Sequence, residues 1–312
     1  MMRLVKMELY RLFHAISTFV MIVVAAGVAV LMSLALKVDL NEMEKAQEMQ
    51  KAPMQDIGTE SQVPAESFAN GIADGFTGSG EESLEDGVTI GITSSADESW
   101  LDGDISAGDI LMSEMNGGLL VIFIAIFVPL FVNAEQKRGY IKNIAGQIPR
   151  REMLAFSKLP AVAVLVFLLL FIFSIANWAA SAVFFRGRLI LGSVGTQLGV
   201  LGMQYVLHVS WGCLIALFTM ATRSTAFAMT TGILLASGIA DMLVGYLDRA
   251  IHAIIPAAER FELMRYTLMY ATGAMTAEST MHEIGGFAVI AVIYMVVPAA
   301  LAGIIYHKRD VR

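Results

Sequence analysis

Two groups of polar side chains recur at helical spacing within otherwise apolar stretches of the chain. They are Ser174, Asn177 and Ser181 in one stretch and Gln204, His208 and Trp211 in another. Residues three or four positions apart share one face of a helix, and polar groups in hydrocarbon must face protein or water. The two faces therefore point into a helical bundle, where they either form interhelical hydrogen bonds or line a translocation path.

The sequence lacks the motifs of common catalytic and nucleotide-binding sites. It has no GxxxxGK[ST] phosphate loop, which a Walker-type ATPase needs to hold the phosphates of ATP. His282 and Glu283 are not followed by the second histidine of HExxH, and the five histidines are spread over different segments, so no metal site is expected. We therefore predict that the chain is not an enzyme and binds no cofactor itself.

Asp241 is the only acidic residue that we place inside an apolar span from hydropathy. A charge at the middle of a bilayer costs on the order of 3 kcal/mol even on lenient scales, so the depth of Asp241 decides its role. We expect it at the outer membrane interface rather than in a proton relay.

The composition is that of an integral membrane protein. Of the 312 residues, 56% are hydrophobic and 16% are charged, and the mean hydropathy is +0.66. A helix needs about 20 apolar residues to cross the hydrocarbon, and the sequence contains six such stretches. They predict an all-α integral membrane fold with transmembrane helices at 15–37, 114–134, 158–185, 195–222, 224–246 and 285–307.

Cations and acids are divided between the segments that connect these helices. The N-terminus, the segment 134–158 between the apolar parts of the second and third spans, the turn at Arg223 and the tail 308–312 hold 13 of the 21 Lys and Arg but only four of the 28 acids. Because cytoplasmic loops are enriched in Lys and Arg, both termini are expected in the cytoplasm and the acidic insertion 38–113 outside. Nucleic acid is not an expected partner.

Residues 1–14 are predicted to form an amphipathic helix. At about 100° per residue, one apolar arc contains Met2, Val5, Leu9, Leu12, Phe13 and Ile16, and the basic residues opposite are Arg3, Lys6 and Arg11. Such a helix lies along the membrane surface, here the cytoplasmic one, before the chain turns into the first span.

The two long external segments differ in character. Residues 38–113 are rich in acids, glycine and serine, which argues against a fixed compact core. Residues 247–284 instead carry Phe261, Met264 and Leu268 at helical spacing beside charged residues. This pattern predicts short amphipathic helices at the outer membrane surface before the last span.

Small residues recur near the start of the fourth predicted span. Gly195 and Gly199 have the GxxxG spacing, with Gly192 and Gly202 on either side. This spacing allows two helix backbones to approach closely. Close packing within one chain or between two chains is therefore expected here.

The connection 135–157 carries a motif that continues into the third span. Its positions are Glu135, Gly139, Tyr140, Ile141, Lys142, Asn143, Arg150, Arg151, Ser157 and Lys158. As E-x3-G-x-I-K-N, then basic residues, then S-K, the motif resembles that of the permease subunits of ABC-2-type ABC exporters. Met7–Phe13, MELYRLF, is similar to their N-terminal opening, whereas Tyr140 stands where a threonine is common in the family.

The resemblance implies partners for this chain. In such permeases the connection holds a coupling helix, here Gly139–Pro149, which docks on a separate cytosolic ATPase. Two ATPase subunits, which bind ATP and Mg²⁺, serve two permease subunits, either two copies of one chain or two similar chains. The implied location is the bacterial cell membrane, and membrane lipids are the remaining partner.

The sequence indicates the identity of the transported molecule less clearly than it indicates the family. The resemblance favours export of an amphipathic molecule, such as a peptide toxin or an antimicrobial peptide, with lipid-type export as an alternative. A second interpretation is a membrane sensor or resistance module for cationic peptides, in which the ATPase drives a conformational change without transport. An ion-coupled secondary transporter needs intramembrane carboxylates and internal repeats, and no repeat is visible.

Overall fold

A computed structural model describes residues 1–51, 100–101, 103–137, 152–254, 262–276 and 279–308. Its helices are α1 (Met2–His14), α2 (Ile16–Lys51), α3 (Ala107–Asn116), α4 (Leu119–Lys137), α5 (Glu152–Phe184), α6 (Val194–Thr222), α7 (Thr225–Ala236), α8 (Ile239–Ile254), α9 (Leu268–Gly273) and α10 (Met281–Lys308). A 3-10 helix, Leu263–Tyr266, precedes α9. Two short strands, β1 (Ile105–Ser106) and β2 (Leu189–Ile190), pair in parallel.

Four segments are long and apolar enough to cross a membrane by themselves. They are Ile16–Glu48, Glu152–Phe184, Val194–Thr222 and His282–Lys308. Two further helix pairs qualify only when joined, namely α3 with α4, bent by 57°, and α7 with α8, bent by 59°. The described chain thus has four to six candidate spans, which is compatible with the predicted all-α membrane fold.

The predicted second and fifth spans coincide with the two bent pairs rather than with straight helices. The first pair breaks between Asn116 and Leu119, where Gly118 has a φ of +74°, and the second breaks at Gly238, with a φ of +78°. Glycine adopts this left-handed conformation without steric cost. A hydropathy average over about 20 residues does not register such a break, so the sequence predicted continuous helices.

The two ends of the bundle differ. We call the end that carries β1 and β2 the strand end, and the opposite end, where α4 ends and α5 begins, the loop end. At the strand end a small second core is formed by Leu36, Leu40, Trp100, Ile105, Ile110 and Phe185. Arg188 fastens it by donating to the carbonyl oxygens of Leu101 at 3.2 Å and Gly103 at 3.1 Å, and by pairing with Glu44.

This second core bears on the expectation for the acidic insertion only at the two ends of that segment. Leu40, Trp100, Ile105 and Ile110 of the insertion pack there against Leu36 and Phe185. Residues 52–99 and 102 lie outside the described residues. So do 255–261 and 277–278 of the predicted external amphipathic segment 247–284.

Large apolar side chains cover the outer faces of the long helices. Examples are Phe19, Val23 and Leu31 of α2, Phe167, Phe171 and Ile175 of α5, and Val289, Val292 and Val296 of α10, all exposed by 47% or more. The interior meanwhile buries Ser, Asn, Gln and His side chains. Apolar groups outside and polar groups inside are expected where the surroundings are lipid, so these helices indicate a multi-pass membrane protein.

Close helix contacts occur at other glycines than the predicted ones. A Cβ atom added to Gly212 would lie 2.8 Å from a methyl group of Val162, and one added to Gly232 would lie 2.7 Å from the Cβ of Ala125. At Gly199 and Gly202 no described atom lies within 4 Å of that position. The predicted close contact at the GxxxG positions is therefore not made by the described residues, and contact between two chains stays a prediction.

We expect Gly232→Leu to lower the free energy of unfolding by about 1–3 kcal/mol, because the added side chain overfills the contact between α7 and α4. Gly27→Leu is the matched control, since no described atom lies within 4 Å of its Cβ position. Denaturant titration in detergent micelles measures both changes. Equal stability of the two variants would contradict the close packing at Ala125.

Candidate functional site in the bundle interior

The structure describes the predicted coupling connection only at its two ends. The predicted residues Gly139, Tyr140, Ile141, Lys142, Asn143, Arg150 and Arg151 lie outside the described residues. Glu135 lies in the last turn of α4. We call the last two turns of α4 and the first two turns of α5 the two roots of the connection 138–151.

The α4 root is tied to the turn between α6 and α7. Asn133 is buried, and its Nδ2 donates to Thr225 Oγ1 at 2.6 Å and to the Arg223 carbonyl oxygen at 3.3 Å. Arg223 has a φ of +56°, an uncommon conformation for a residue with a side chain. This conformation ends α6 and turns the chain into α7, so Asn133 holds both helices.

The α5 root is tied to the end of α10. Glu152 Oε2 lies 2.9 Å from His307 Nδ1, but His307 is mostly exposed, and exposed ion pairs contribute little to stability. One turn further, the Phe156 ring packs against Gly303, where a Cβ atom would lie only 2.9 Å from the ring. Because Gly303 has no side chain, α10 approaches the Phe156 ring closely. This packing holds the α5 root to α10 more firmly than the exposed contact of Glu152 with His307.

A buried ion cluster joins the α5 root to α1. Lys158 Nζ lies 3.1 Å from Glu8 Oε1, and Arg11 Nη2 lies 2.8 Å from Glu8 Oε2. Glu8 and Lys158 are almost completely buried. Arg11 also donates to the Phe131 carbonyl oxygen of α4 at 3.0 Å, and its guanidinium lies over that ring. We call Glu8, Arg11 and Lys158 the loop-end ion cluster, and it connects three helices.

α1 contacts the protein through one edge of its predicted apolar arc. Leu12, at that edge, is fully buried beside Glu8, whereas Met2 and Phe13, further round the arc, are 79% and 50% exposed. A helix that lies on a membrane presents such exposed apolar side chains to lipid. α1 therefore combines a protein-facing edge with a free apolar surface.

The second polar stripe lies where α6 meets α3 and α9. Gln204 Nε2 donates to Asn116 Oδ1 at 3.0 Å and to the Thr272 carbonyl oxygen at 3.1 Å. Trp211 Nε1 donates to Thr272 Oγ1 at 3.2 Å, and Asn116 Nδ2 donates to the Met275 carbonyl oxygen at 2.9 Å. The stripe thus makes interhelical hydrogen bonds in this structure, one of the two alternatives for this face.

His208 lies on the same face of α6 and is fully buried. Its Nδ1 is 2.7 Å from the Gln204 carbonyl oxygen, so a neutral ring donates from Nδ1 and leaves Nε2 as an acceptor. Neither His208 Nε2 nor Gln204 Oε1 has a hydrogen-bond partner among the described residues. The stripe therefore retains hydrogen-bonding capacity that its neighbours do not use.

The first polar stripe meets an acidic residue that the sequence pattern did not bring into the site. Glu114 of α3 is fully buried, and its Oε1 lies 3.0 Å from Ser33 Oγ of α2. Asn177 Nδ2 of α5 donates to the same Ser33 oxygen at 3.2 Å. Ser174 and Ser181 are also buried on this face of α5. We call Ser33, Glu114, Asn177 and Ser181 the three-helix cluster.

The prediction that Asp241 is the only acid within a span is therefore wrong. Glu114 stands at the first position of the predicted second span, which normally lies at the membrane surface, but α3 carries it into the bundle. A signal was present, because Glu114 follows Ile110 and Leu111 at helical spacing. All three are buried, so an acid within the apolar face of a short helix marked the position.

Asp241 lies in the first turn of α8, just past the bend at Gly238, and is 7% exposed. Its carboxyl group is within hydrogen-bonding reach of the Thr267 side chain. Asp248, on the same face, accepts a hydrogen bond from the Leu263 amide at 3.2 Å. Both acids therefore hold α8 to the segment around the 3-10 helix, while the apolar face of α8 points outward.

A scan against models of known protein families finds no match to this chain, and a search of curated proteins finds none either. Among the described residues there is also no group of three or more His, Cys, Asp or Glu side chains that could hold a metal ion. The resemblance to ABC-2 permeases rests on the motif of the connection, on Met7–Phe13 and on the predicted order of an amphipathic N-terminal helix and six spans.

We expect Lys158→Met to lower the free energy of unfolding by roughly 3–5 kcal/mol, because it removes one of the cations that balance the buried Glu8 carboxylate. Removing both charges, in Glu8→Leu with Lys158→Met, is expected to cost clearly less than the sum of the two single changes. Arg186→Met, an exposed cation at the strand end, is the control. Additive effects in detergent unfolding would contradict a coupled ion cluster.

Proposed function

We propose that this chain is the membrane subunit of an ATP-driven exporter, a permease of the ABC-2 type that takes its energy from a separate ATPase. The observation that carries the proposal is the bracing of both roots of the connection 138–151. The α4 root is held to the α6–α7 turn, and the α5 root is held to α1 and α10. A partner that pushes on the connection would move several helices with it, which an unbraced surface loop would not do.

The energy source lies in the partner because the chain has no phosphate loop of its own. ATP and Mg²⁺ bind in that ATPase, and this chain contributes no cofactor and no catalytic residue. Two ATPase subunits act on two permease subunits. The second permease is another copy of this chain or a similar one.

The loop end faces the cytoplasm of a bacterial cell in this proposal. The contacts of α1 with Lys158 and of the end of α10 with Glu152 support an orientation in which the termini and the connection lie on one side of the membrane. The excess of Lys and Arg in these segments assigns that side to the cytoplasm.

The exporter works by transmitting a rigid displacement. Closure of the two ATPase subunits moves the connection, and the braced roots pass this movement to the packed helices, which open towards the strand end. The buried faces with Ser174, Asn177, Ser181 and with Gln204, His208, Trp211 are the candidate lining of the path. The cargo is an amphipathic molecule, with a peptide toxin or antimicrobial peptide as the leading candidate.

The coupling role is tested with the purified chain in lipid vesicles together with the ATPase that co-purifies with it. The double variant Gly139→Glu, Ile141→Glu is expected to insert normally and to permit ATP hydrolysis. Its ATP-dependent transport of a labelled amphipathic peptide is expected to fall by about tenfold or more, because coupling between two sites of a protein typically changes binding by a factor of this size.

The matched control is Leu191→Glu, which adds the same charge to an exposed residue at the strand end and is expected to leave transport unchanged. Normal transport by the connection variant would contradict docking at Gly139–Pro149. Peptide-stimulated ATP hydrolysis without movement of peptide across the membrane would instead favour the sensor interpretation.

A further inference from the structure

Glu114 is a buried carboxyl group with no basic partner in the part of the chain that the structure describes. The Glu114 side chain has no solvent-exposed surface, and no Lys, Arg or His within the described ranges forms an ion pair with it. An ionised carboxylate is strongly disfavoured in such surroundings unless a cation balances it. The group must therefore carry either a proton or a bound cation.

The hydrogen bonds around Ser33 indicate which of the two is present. Ser33 Oγ lies 3.0 Å from the Ala29 carbonyl oxygen and 3.0 Å from Glu114 Oε1, and it receives a hydrogen bond from Asn177 Nδ2. A hydroxyl group has one proton and two lone pairs. If Glu114 were ionised, one proton would have to serve two acceptors. If Glu114 is protonated and donates to Ser33, all three contacts are satisfied.

The same cluster contains oxygen atoms that have no hydrogen-bond partner among the described residues. They are Glu114 Oε2, Asn177 Oδ1 and Ser181 Oγ, each from a side chain with no exposed surface. Buried polar atoms without a partner are uncommon in native proteins. Asn177 and Ser181 share one face of α5, and the Asn177 side chain reaches the Glu114 carboxyl group, so these oxygens belong to the face of α5 that meets α3.

We propose that the three-helix cluster binds a cationic N–H group, an ammonium or guanidinium of the exported molecule, in exchange for the proton on Glu114. Such a group supplies several N–H donors, which match the carboxylate, amide and hydroxyl oxygens. As the cation enters, the Glu114 proton leaves to solvent, so the net charge of the site does not change. That the ligand is cargo rests on the proposed export function, whereas its chemistry rests on the cluster.

Entry of a ligand requires α3 to separate from α2 and α5, because the cluster is closed in this structure. α3 ends at Asn116, and Gly118 after it has a left-handed φ. A break at glycine lets a short helix change direction relative to its neighbour without loss of its own hydrogen bonds. A turn of α3 about Gly118 would therefore open the site, at the expense of the hydrogen bonds that Asn116 makes at its end.

The first test measures whether Glu114 is protonated, using the purified chain alone in bilayers of phosphatidylglycerol and phosphatidylcholine. Dicyclohexylcarbodiimide is an apolar reagent; a protonated carboxyl group adds across its C=N bond, and the adduct rearranges to a stable N-acylurea. Mass spectrometry of peptides is expected to find this adduct on Glu114. Asp241→Asn, which removes another buried acid, is the control and is expected to leave the adduct in place.

An infrared comparison checks the same point without a reagent. The carbonyl stretching band of a protonated carboxylic acid is expected in the difference spectrum between the wild type and Glu114→Gln. Glutamine can donate to Ser33 in place of the protonated acid, so this variant is expected to fold. Absence of the band would overturn the proposal even if carbodiimide fails to reach the site.

The second test measures the ligand, with dodecylguanidinium as the probe because it is a poor nucleophile towards an activated carboxyl group. At about ten times its Kd, occupancy is expected to reduce labelling of Glu114 roughly tenfold. Dodecyltrimethylammonium, which has the charge and chain but no N–H group, is expected to protect far less, as are dodecanol and sodium chloride. Equal protection by any of these three would overturn the assignment of a cationic N–H group.

The variant Ser181→Ala distinguishes binding of the cation from protonation of Glu114. Its hydroxyl makes no hydrogen bond among the described residues, so labelling of Glu114 is expected to persist while protection by dodecylguanidinium weakens severalfold. Unchanged protection would remove Ser181 from the site. No ATPase is present in these assays, so a failure of ATP-driven transport with intact protection counts against export and not against cation binding.

Discussion

Hydrocarbon offers no hydrogen-bond partner, so the polar side chains inside this bundle have to find their partners on other helices. The pairing of Gln204 with Asn116 joins α6 to α3, the contact of Ser33 with Asn177 joins α2 to α5, and Asn133 joins α4 to the α6–α7 turn. Apolar packing alone leaves helices free to slide or rotate in lipid. The polar contacts fix their order and register, and this constraint decides where the functional side chains lie.

The loop-end ion cluster applies the same constraint with charges. A buried ion pair is weak evidence for stability, because desolvation offsets much of the attraction. It forms, however, only when the helices that carry the charges lie in specific positions. Glu8 can be balanced by Lys158 and Arg11 only when α1 lies against α5 and α4. The N-terminal helix is thereby attached to both roots of the connection, even though half of its apolar arc is free for lipid. In the proposed exporter, this one arrangement would serve both membrane contact and the transmission of movement from the connection.

The sequence predicts those features that depend on periodicity and average hydropathy. The faces with Asn177 and Gln204 are buried as expected, because helical spacing alone determines which residues share a face. The breaks at Gly118 and Gly238 were not predicted, since a glycine in an apolar stretch does not reveal its φ. Glu114 shares helical spacing with the buried Ile110 and Leu111, which marks its face of α3, but its contact with Ser33, distant in sequence, is specified by no local pattern.

The two breaks lie side by side in the bundle. A Cβ atom on Gly118 would lie 3.0 Å from the carbonyl oxygen of Ala236, the last residue of α7, two positions before Gly238. On the loop-end side of the breaks, α4 and α7 are in close contact and bound through Asn133. On the other side, α3 carries the buried Glu114, and α8 carries the buried Asp241 and Asp248. In the proposed exporter, a displacement that enters at the connection would shift α4 and α7 together and would turn at the glycines into movement of the two short helices, of which α3 carries Glu114.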